Sequence, residues 1–113
     1  MKQVSKISVK ELQKMAKRMF GSLVKADVDV AKRVVIIDMP MHYEGEAYLL
    51  EHGSKQNNIW GINLHPADYA KDDFIEFDSM INIRPSRGNL SKDVLDPKAR
   101  QQIIDIIGEV VHE

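Results

Sequence analysis

The sequence predicts an α+β domain with a mostly antiparallel sheet that is packed by helices on one face. Two pairs of neighbouring strand-like segments predict the antiparallel sheet, and helical segments before, between and after those pairs predict the class. The element order is α-β-β-α-β-β-α. A length of 113 residues suits one domain. Neither a repeat nor a linker divides the chain, so we expect a single domain over residues 1–113.

The first and last helices are predicted from their ends and from apolar spacing. Ser8 and Glu11 form a capping box ahead of an apolar stripe of helical period, and Gly21 is a natural stop. Asp96 and Pro97 have the residue types of an N-cap and a first helical position. We therefore expect one helix before Gly21 and another from Pro97 to near the end of the sequence.

The middle helix is predicted over residues 43–52, ending at Gly53. Its core-facing residues are expected to be Ala47, Leu50 and Tyr43. Glycine inside the segment weakens the helix by about 1 kcal/mol relative to alanine. This segment therefore rests on a weaker pattern than the other two helices.

Four strands are predicted over residues 23–30, 33–39, 59–65 and 75–84. The first, third and fourth alternate between apolar and polar side chains, which is typical of half-buried strands. The second is β-branched and almost continuously apolar, as a more buried strand is. In the fourth strand the apolar side must face the core, because a one-residue slip would bury charges.

The composition excludes several classes of function. Acidic and basic residues number 17 and 16, so the net charge of -1 favours neither nucleic acid nor an anionic membrane. The absence of cysteine excludes disulfides, thiol nucleophiles and Cys-ligated metal. No apolar segment approaches the roughly 20 residues of a membrane span. We expect a cytoplasmic protein.

Polar side chains of three predicted strands are expected to share one face of the sheet. Asp and Asn are poor strand formers, so their repeated use there indicates a functional site. The alternative is a solvated face with cross-strand ion pairs, each worth roughly 0.2–1 kcal/mol. The face consists of Lys25, Asp27, Asp29, Asn63, His65, Glu76, Asp78, Asn82 and Arg84.

Two kinds of ligand suit this face. Arg84 and Arg87 of the loop RPSRGN, together with Lys55, have the donors that bind a phosphate or carboxylate. The alternative for that loop is a turn whose arginines pair with nearby carboxylates. The predicted ligand-binding residues are Lys25, Asp27, Lys55, Asn63, Asp78, Asn82, Arg84 and Arg87. The carboxylates predicted to hold a divalent cation such as Mg²⁺ are Asp27, Asp29, Glu76 and Asp78.

Three segments carry a resemblance to a known family: FGSLVKADVD, LLEHGSKQNNIWGINLHP and EFDSMINIRPSRGN. With them the chain resembles an uncharacterised family of short prokaryotic proteins, catalogued as a domain of unknown function. The likeness runs over nearly the whole chain. It implies a small protein that stands alone, and it implies no activity, cofactor or catalytic residue.

Three hypotheses follow from the residues. The leading one is a domain that binds a small or anionic ligand on the polar sheet face. The second is a metal-assisted hydrolase that uses the carboxylates of the same face. The third is an interaction module that forms a homodimer through an open sheet face or edge.

Overall fold

The computed structural model describes residues 1–113 and contains three helices and seven strands. The helices are α1 (Val9–Met19), α2 (His42–Glu51) and α3 (Pro97–Val110). The strands are β1 (Lys2–Val4), β2 (Ile7–Ser8), β3 (Val24–Asp29), β4 (Val34–Ile37), β5 (Ile59–Leu64), β6 (Ile75–Glu76) and β7 (Val111–His112). The predicted order is kept, and the short strands β1, β2 and β7 are added to it.

The main sheet has the order β1-β4-β3-β5-β6, and every neighbouring pair is antiparallel. Strand β3 lies at its centre and pairs with β5 from Val24 opposite Leu64 to Asp29 opposite Ile59. Strands β2 and β7 form a separate parallel pair that joins the start of α1 to the end of α3. The α+β class and the mostly antiparallel sheet are therefore confirmed.

The predicted helix ends are present. The Ser8 hydroxyl accepts a hydrogen bond from the Glu11 backbone N–H at 3.1 Å and caps α1. The Asp96 carboxylate accepts one from the Lys98 backbone N–H at 3.0 Å and caps α3. These contacts satisfy backbone donors that a helix N-terminus otherwise leaves without partners.

The larger core fills the sheet face that α1 and α3 cover. Alternate residues of β3 and β5 point into it and are almost fully buried. Leu12 of α1 and Ile103, Ile106 and Ile107 of α3 pack against them. The apolar sides of the strands and of these two helices therefore pack in one layer, as the sequence predicts. The strand residues in this core include Val24, Ala26, Val28, Trp60, Ile62 and Leu64.

Helix α2 lies on the other face of the sheet, which differs from the expectation that the helices share one face. Its Leu49 packs in a smaller core with Ile36 of β4 and Ile59 of β5. Ala47, Leu50 and Tyr43, which were expected to face the core, are exposed. The buried residues are instead His42, Gly45 and Leu49, which recur at helical spacing but are not uniformly apolar. Because α2 covers polar strand residues, its buried side carries no continuous apolar stripe.

The predicted fourth strand ends after two residues, so its extension to residue 84 was wrong. Residues 80–82 form a 3₁₀ turn, and the Ser79 hydroxyl accepts a hydrogen bond from the Ile81 N–H at its start. The side-chain amide of Asn82 then hydrogen-bonds both the N–H and the C=O of Gly61 in β5, at 2.8 and 3.0 Å. A side chain thus replaces the backbone partner that a continued strand would supply.

Candidate functional site

The polar residues of β3 and β5 lie beneath α2 and are not solvated. Asp27, Asp29 and Asn63 are all at most 5% exposed. Carbonyls and N–H groups of the sheet are paired along both strands, so the side chains must find partners among themselves and in α2. The part of the predicted polar face that lies on β3 and β5 is therefore an internal polar layer, whereas Asp78, Asn82 and Arg84 lie outside the strands.

One end of this layer opens into a pocket of about 250 Å³. Three of the predicted ligand-binding residues line it, namely Lys25, Asn63 and Asp78. The sequence did not indicate His42 and Lys92, which also line it. The remaining lining comes from Met41, Tyr43, Ser79, Met80 and Ile81.

The orientation of the Asn63 amide is fixed by its neighbours. Its Nδ2 donates to Glu76 Oε1 at 3.0 Å and to the Asp78 carbonyl at 3.3 Å. Both groups accept hydrogen bonds, so the nitrogen must face them and Oδ1 must face away. Asn63 Oδ1 is buried and has no hydrogen-bond partner in the protein. A buried acceptor without a donor is costly, which makes this atom a candidate ligand contact.

His42 presents a second acceptor beside Asn63. Its Nε2 lies 2.9 Å from the Ile62 carbonyl, which can only accept, so Nε2 carries the hydrogen. Burial is the main cause that lowers the pKa of His42 to about 4, and the Lys25 ammonium acts in the same direction. The hydrogen bond to the Ile62 carbonyl, the charge of Asp78 and the side chain of Asn63 oppose this shift in part. The imidazole is therefore neutral at pH 7, and Nδ1 is an acceptor.

Three charges around the pocket have no ionic partner in the protein. None of the ion pairs in the structure involves Lys25, Asp78 or Lys92. The Lys25 ammonium instead lies over the Phe20 ring, 5.1 Å from its centroid. With His42 neutral, these groups give the pocket a net charge of +1. The charges are available to a ligand without first breaking an ion pair.

Asp27 lies next to this pocket region under the first turns of α2, where the helix comes very close to β3. A Cβ atom on Gly45 would lie 2.3 Å from Asp27 Oδ2, so only glycine permits this approach. Neither carboxyl oxygen of Asp27 makes a hydrogen bond of normal geometry, and the backbone N–H of Glu46 is the donor that comes near it. Burial, which is the largest cause, and the charge of Glu46 raise the pKa of Asp27 to about 9, against smaller opposite effects of the Glu46 backbone N–H and Lys25. At pH 7 this residue is a neutral carboxylic acid.

The arginines of the predicted anion loop are already engaged by the protein. Arg84 pairs with Glu46 of α2. Its donors also require the Gln56 amide to turn its oxygen toward them, and in that orientation this oxygen accepts from Nη2 at 2.8 Å. Arg87 stacks on Trp60 at 3.5 Å, and its Nη1 donates to three backbone carbonyls between residues 56 and 59. Burial lowers the pKa of Arg87 to about 10, and the neighbouring Arg84 contributes to this shift.

These contacts make the loop a brace between α2 and the start of β5. Lys55, the third predicted anion contact, is exposed and lines none of the pockets described here. The Nε of Arg84 and the Nε and Nη2 of Arg87 have no hydrogen-bond partner, but they are buried and neither arginine lines the two pockets. The structure therefore does not bring Lys55, Arg84 and Arg87 together at an open anion site. The contacts of Arg84 and Arg87 agree better with the alternative interpretation, in which the loop is a turn whose arginines bind groups of the protein.

The four carboxylates predicted to hold a metal do not come together. No group of three or more His, Asp or Glu side chains is arranged to hold a metal ion. Asp29 is used by the β3–β4 turn, where Oδ1 accepts from the N–H groups of Ala31 and Lys32 at 2.9 and 3.0 Å. Glu76 accepts from His65 and Asn63, and the hydrogen bond from His65 is the main cause that lowers its pKa.

A family model described as "Protein of unknown function (DUF5674)" matches residues 3–110. The chain belongs to this family. The resemblance to a domain of unknown function is therefore confirmed over nearly the whole sequence. No curated protein and no solved structure matches the chain. None of its helices combines the length and apolar character that crossing a membrane requires.

Two asparagines in the DUF5674 chain organise the segment that borders the pocket. Asn82 is fully buried, and besides binding Gly61 it donates to the Lys92 carbonyl at 2.8 Å. Asn89 donates to the Asn82, Ser91 and Asp93 carbonyls and accepts from the Leu95 N–H. These bonds hold Lys92 at the pocket. Asn82 is thus a structural residue and not a ligand contact.

Sequence reasoning missed His42 and Lys92 for different reasons. His42 is the first residue of α2, and no spacing of histidines or acids indicates that it faces a pocket. Lys92 lies in a loop without regular structure, and the predicted site residues nearest to it in sequence are Arg87, Arg84 and Asn82. Nothing in the local sequence therefore links it to the pocket. Hydrogen bonds to its carbonyl from the Asn82 side chain and from the Ser79 backbone N–H place it at the pocket with Lys25.

Proposed function

We propose that this domain binds a small organic anion that also carries a hydrogen-bond donor. The site is the pocket of Lys25, His42, Asn63, Asp78 and Lys92. The observation that carries the proposal concerns Asn63: this residue lines the pocket, and its buried Oδ1, just behind the pocket wall, has no hydrogen-bond donor in the protein. A ligand N–H or O–H would satisfy it and would also suit the neutral His42 Nδ1.

Charge supports an anionic ligand. Lys25 and Lys92 carry positive charges at the pocket without carboxylate partners. Asp78 has an unpaired carboxylate beside them, which suits a ligand whose donor is an ammonium or hydroxyl group. A volume of about 250 Å³ is slightly below that of most drug-sized sites, so the polar part of the ligand is a small one.

Apolar side chains at the same pocket extend the description of the ligand. Met41, Tyr43 and Met80 line it and are 51%, 58% and 67% exposed. Clustered exposed apolar residues mark interaction surfaces more often than isolated ones do. The ligand is therefore expected to contact them with an apolar portion while its polar groups enter the pocket.

The test compares anions that differ by one hydroxyl group. Thermal unfolding is followed with malate against succinate and with glycolate against acetate. We expect the hydroxy acid of each pair to raise the melting temperature more, because only it has a donor for Asn63 Oδ1. Lys25→Gln and Lys92→Gln should each weaken this effect, whereas Lys55→Gln, at an exposed lysine outside the pocket, should not. Equal responses within both pairs, or equal responses in all three variants, would reject the proposal.

A second proposal is self-association through the sheet edge. The open sheet face of the sequence-based hypothesis is covered by α2, whereas β1 is an edge strand with exposed Lys2 and Gln3. Two such edges can pair antiparallel around a twofold axis. Light scattering coupled to size exclusion tests this, and a monomer mass throughout a concentration series up to about 1 mM would exclude a dimer with a Kd well below that value.

We also propose that the protein is cytoplasmic. A chain without cysteine suits a reducing compartment because it does not depend on disulfides for stability. Fractionation of cells that produce the protein at its natural level, with immunodetection in each fraction, tests this location.

A further inference from the structure

The largest cavity of the molecule lies between α3 and the segment from Tyr69 to Phe77. Its volume is about 520 Å³, which falls within the range of roughly 300–1,000 Å³ of ligand sites. It shares no residue with the pocket of Lys25 and Asn63. Any ligand here would therefore bind independently of the function proposed above.

The cavity is lined mainly by aromatic and branched apolar side chains. Tyr69 and Phe74 meet edge to face, with ring centroids 5.3 Å apart and an angle of 85° between the rings. Phe77 lines the cavity beside them, and α3 contributes Ile104 and Ile107. Ile104 is 41% exposed although it belongs to this apolar lining. These groups suit the apolar body of a ligand.

Two residues of the lining have unfavourable local conformations or residue types. Ala70 has a φ of 68°, a left-handed conformation that disfavours a residue with a Cβ. Gly108 lies within α3, where glycine is the poorest helix former after proline. A Cβ at Gly108 would meet no atom within 4 Å, so packing does not require glycine there. Unfavourable local choices that gather at one cavity point to a functional role for it.

Arg100 supplies a positive charge with free donors at this cavity. Its guanidinium lies over the Phe77 ring at 4.0 Å, and its Nη1 donates to Asp93 and to the Val94 carbonyl. These contacts hold the side chain in place but use only Nη1, so the N–H groups of Nε and Nη2 are left for a ligand. Lys71 and Asp72 also line the cavity and offset each other in charge.

We propose that this cavity binds a small apolar carboxylic acid. The carboxylate accepts hydrogen bonds from Nε and Nη2 of Arg100, whose planar fork matches its two oxygens. The apolar body of the acid packs against Tyr69, Phe77 and Ile104. Asp93 neutralises part of the charge of Arg100, so recognition depends on directed hydrogen bonds more than on net charge.

The test uses decanoate and 1-naphthoate with their uncharged counterparts decanol and 1-naphthalenemethanol. Binding is followed by amide chemical shifts in two-dimensional ¹H–¹⁵N NMR spectra, which report the site directly. We expect saturable shifts at Ala70, Lys71 and Gly108 with a Kd below about 1 mM for at least one acid, and about tenfold weaker binding of the matching alcohol. The difference between the two acids tells whether the body is aliphatic or aromatic.

Two variants distinguish the contribution of the Arg100 guanidinium from that of the apolar cavity. Arg100→Gln should weaken the binding of the acid until its affinity equals that of the matching alcohol, and it should leave the affinity of the alcohol unchanged. Gly108→Leu should fill the cavity and abolish binding of both without lowering the melting temperature, and Gln101→Leu, on the exposed side of the same helix, is its control. Binding that survives Gly108→Leu, equal affinity for acid and alcohol, or no shifts at these residues would each overturn the proposal. None of these outcomes affects the pocket at Asn63.

Discussion

The protonation of Asp27 gives the sharpest prediction about this fold. Asp27 is 0% exposed, has two unpartnered oxygens and lies against the α2 backbone at Gly45. We predict that Asp27→Asn removes most of the pH dependence of stability on the alkaline side of neutrality. The amide has the shape of the protonated acid but has no proton to lose, so it can remain neutral at every pH.

The magnitude comes from the difference between two pKa values. The carboxyl has an ordinary pKa of 3.8, and the fold raises it to about 9. Between these values the folded state binds one more proton than the unfolded chain, so stability falls by about 1.4 kcal/mol for each pH unit of increase. At pH 7 the accumulated loss is roughly 4 kcal/mol. This is a large share of the stability of about 5–15 kcal/mol that is typical of a domain.

His42 opposes the fall of stability with rising pH that Asp27 causes, but only at lower pH. Its pKa falls from 6.5 to about 4 on folding, so the unfolded chain binds the extra proton between these values. Stability due to His42 therefore rises with pH up to about 6.5 and is constant above it. The two slopes offset each other in acid, and that of Asp27 acts alone between about pH 6.5 and pH 9.

The assay is urea unfolding followed by the fluorescence of the single tryptophan, Trp60, across that alkaline window. From about pH 6.5 to pH 8.5 the wild-type protein should lose roughly 3 kcal/mol, and Asp27→Asn should be nearly flat. Asp78→Asn makes the same chemical change at an exposed carboxylate and should keep the wild-type slope. A wild-type protein whose stability is constant over this range would refute the reasoning, because Asp27 would then be ionised in the fold.

Three further predictions concern packing and hydrogen bonds, all measured by the same unfolding assay. Gly45→Ala should destabilise the fold by about 1–3 kcal/mol, because the new Cβ would clash with the carboxyl group of Asp27. Gly108→Ala, where a Cβ meets no atom, should stabilise it by up to about 1 kcal/mol. Equal effects of the two substitutions would contradict the close approach of α2 to β3. Asn82→Ala should cost about 3 kcal/mol, since it leaves backbone groups of β5 and of the following loop unpaired, and a change below about 0.5 kcal/mol would show that water replaces the amide. Arg87→Lys should cost about 1–3 kcal/mol and alter the tryptophan emission, because lysine cannot both stack on the ring and bridge three carbonyls; an unchanged spectrum would contradict the stack.

Local signals were sufficient for the elements whose stability is local or follows one period. The caps at Ser8 and Asp96 and the alternation through β3 correctly predicted α1, α3 and the central strand. These features depend on residues within one or two turns, or on one face of one sheet. They need no knowledge of what lies on the opposite face.

The segment after Glu76 misled because its alternation has two causes. Phe77 packs against the larger core and Ile81 in the smaller one, so the chain moves from one side of the sheet to the other. The polar residues between them do not form the outer face of a strand. Ser79 begins a turn and Asn82 binds Gly61, and both are long-range or side-chain effects that a period of two cannot reveal.

The excess of Asp and Asn at predicted strand positions also has more than one cause. Asp29 satisfies a turn, and Asp78 and Asn82 are not in strands. Only Asp27 and Asn63 lie inside strands, are buried, and have oxygens without donors. The residue type alone therefore indicated a site too broadly. When burial and the lack of a hydrogen-bond donor are both required, only two of these five Asp and Asn residues remain as candidates for a site.

The lack of a hydrogen-bond donor has different consequences at Asp27 and at Asn63. Asp27 is buried under α2, and its raised pKa means that it is protonated and neutral at pH 7, which lowers the cost of burying it without partners. Asn63 has already given both amide hydrogens to Glu76 and to the backbone, so it has no proton to supply. It is also the one of the two that lines a pocket. The donor that completes the polar layer must therefore arrive from outside at Asn63, which is why the ligand is expected there and not at the more strongly perturbed carboxyl.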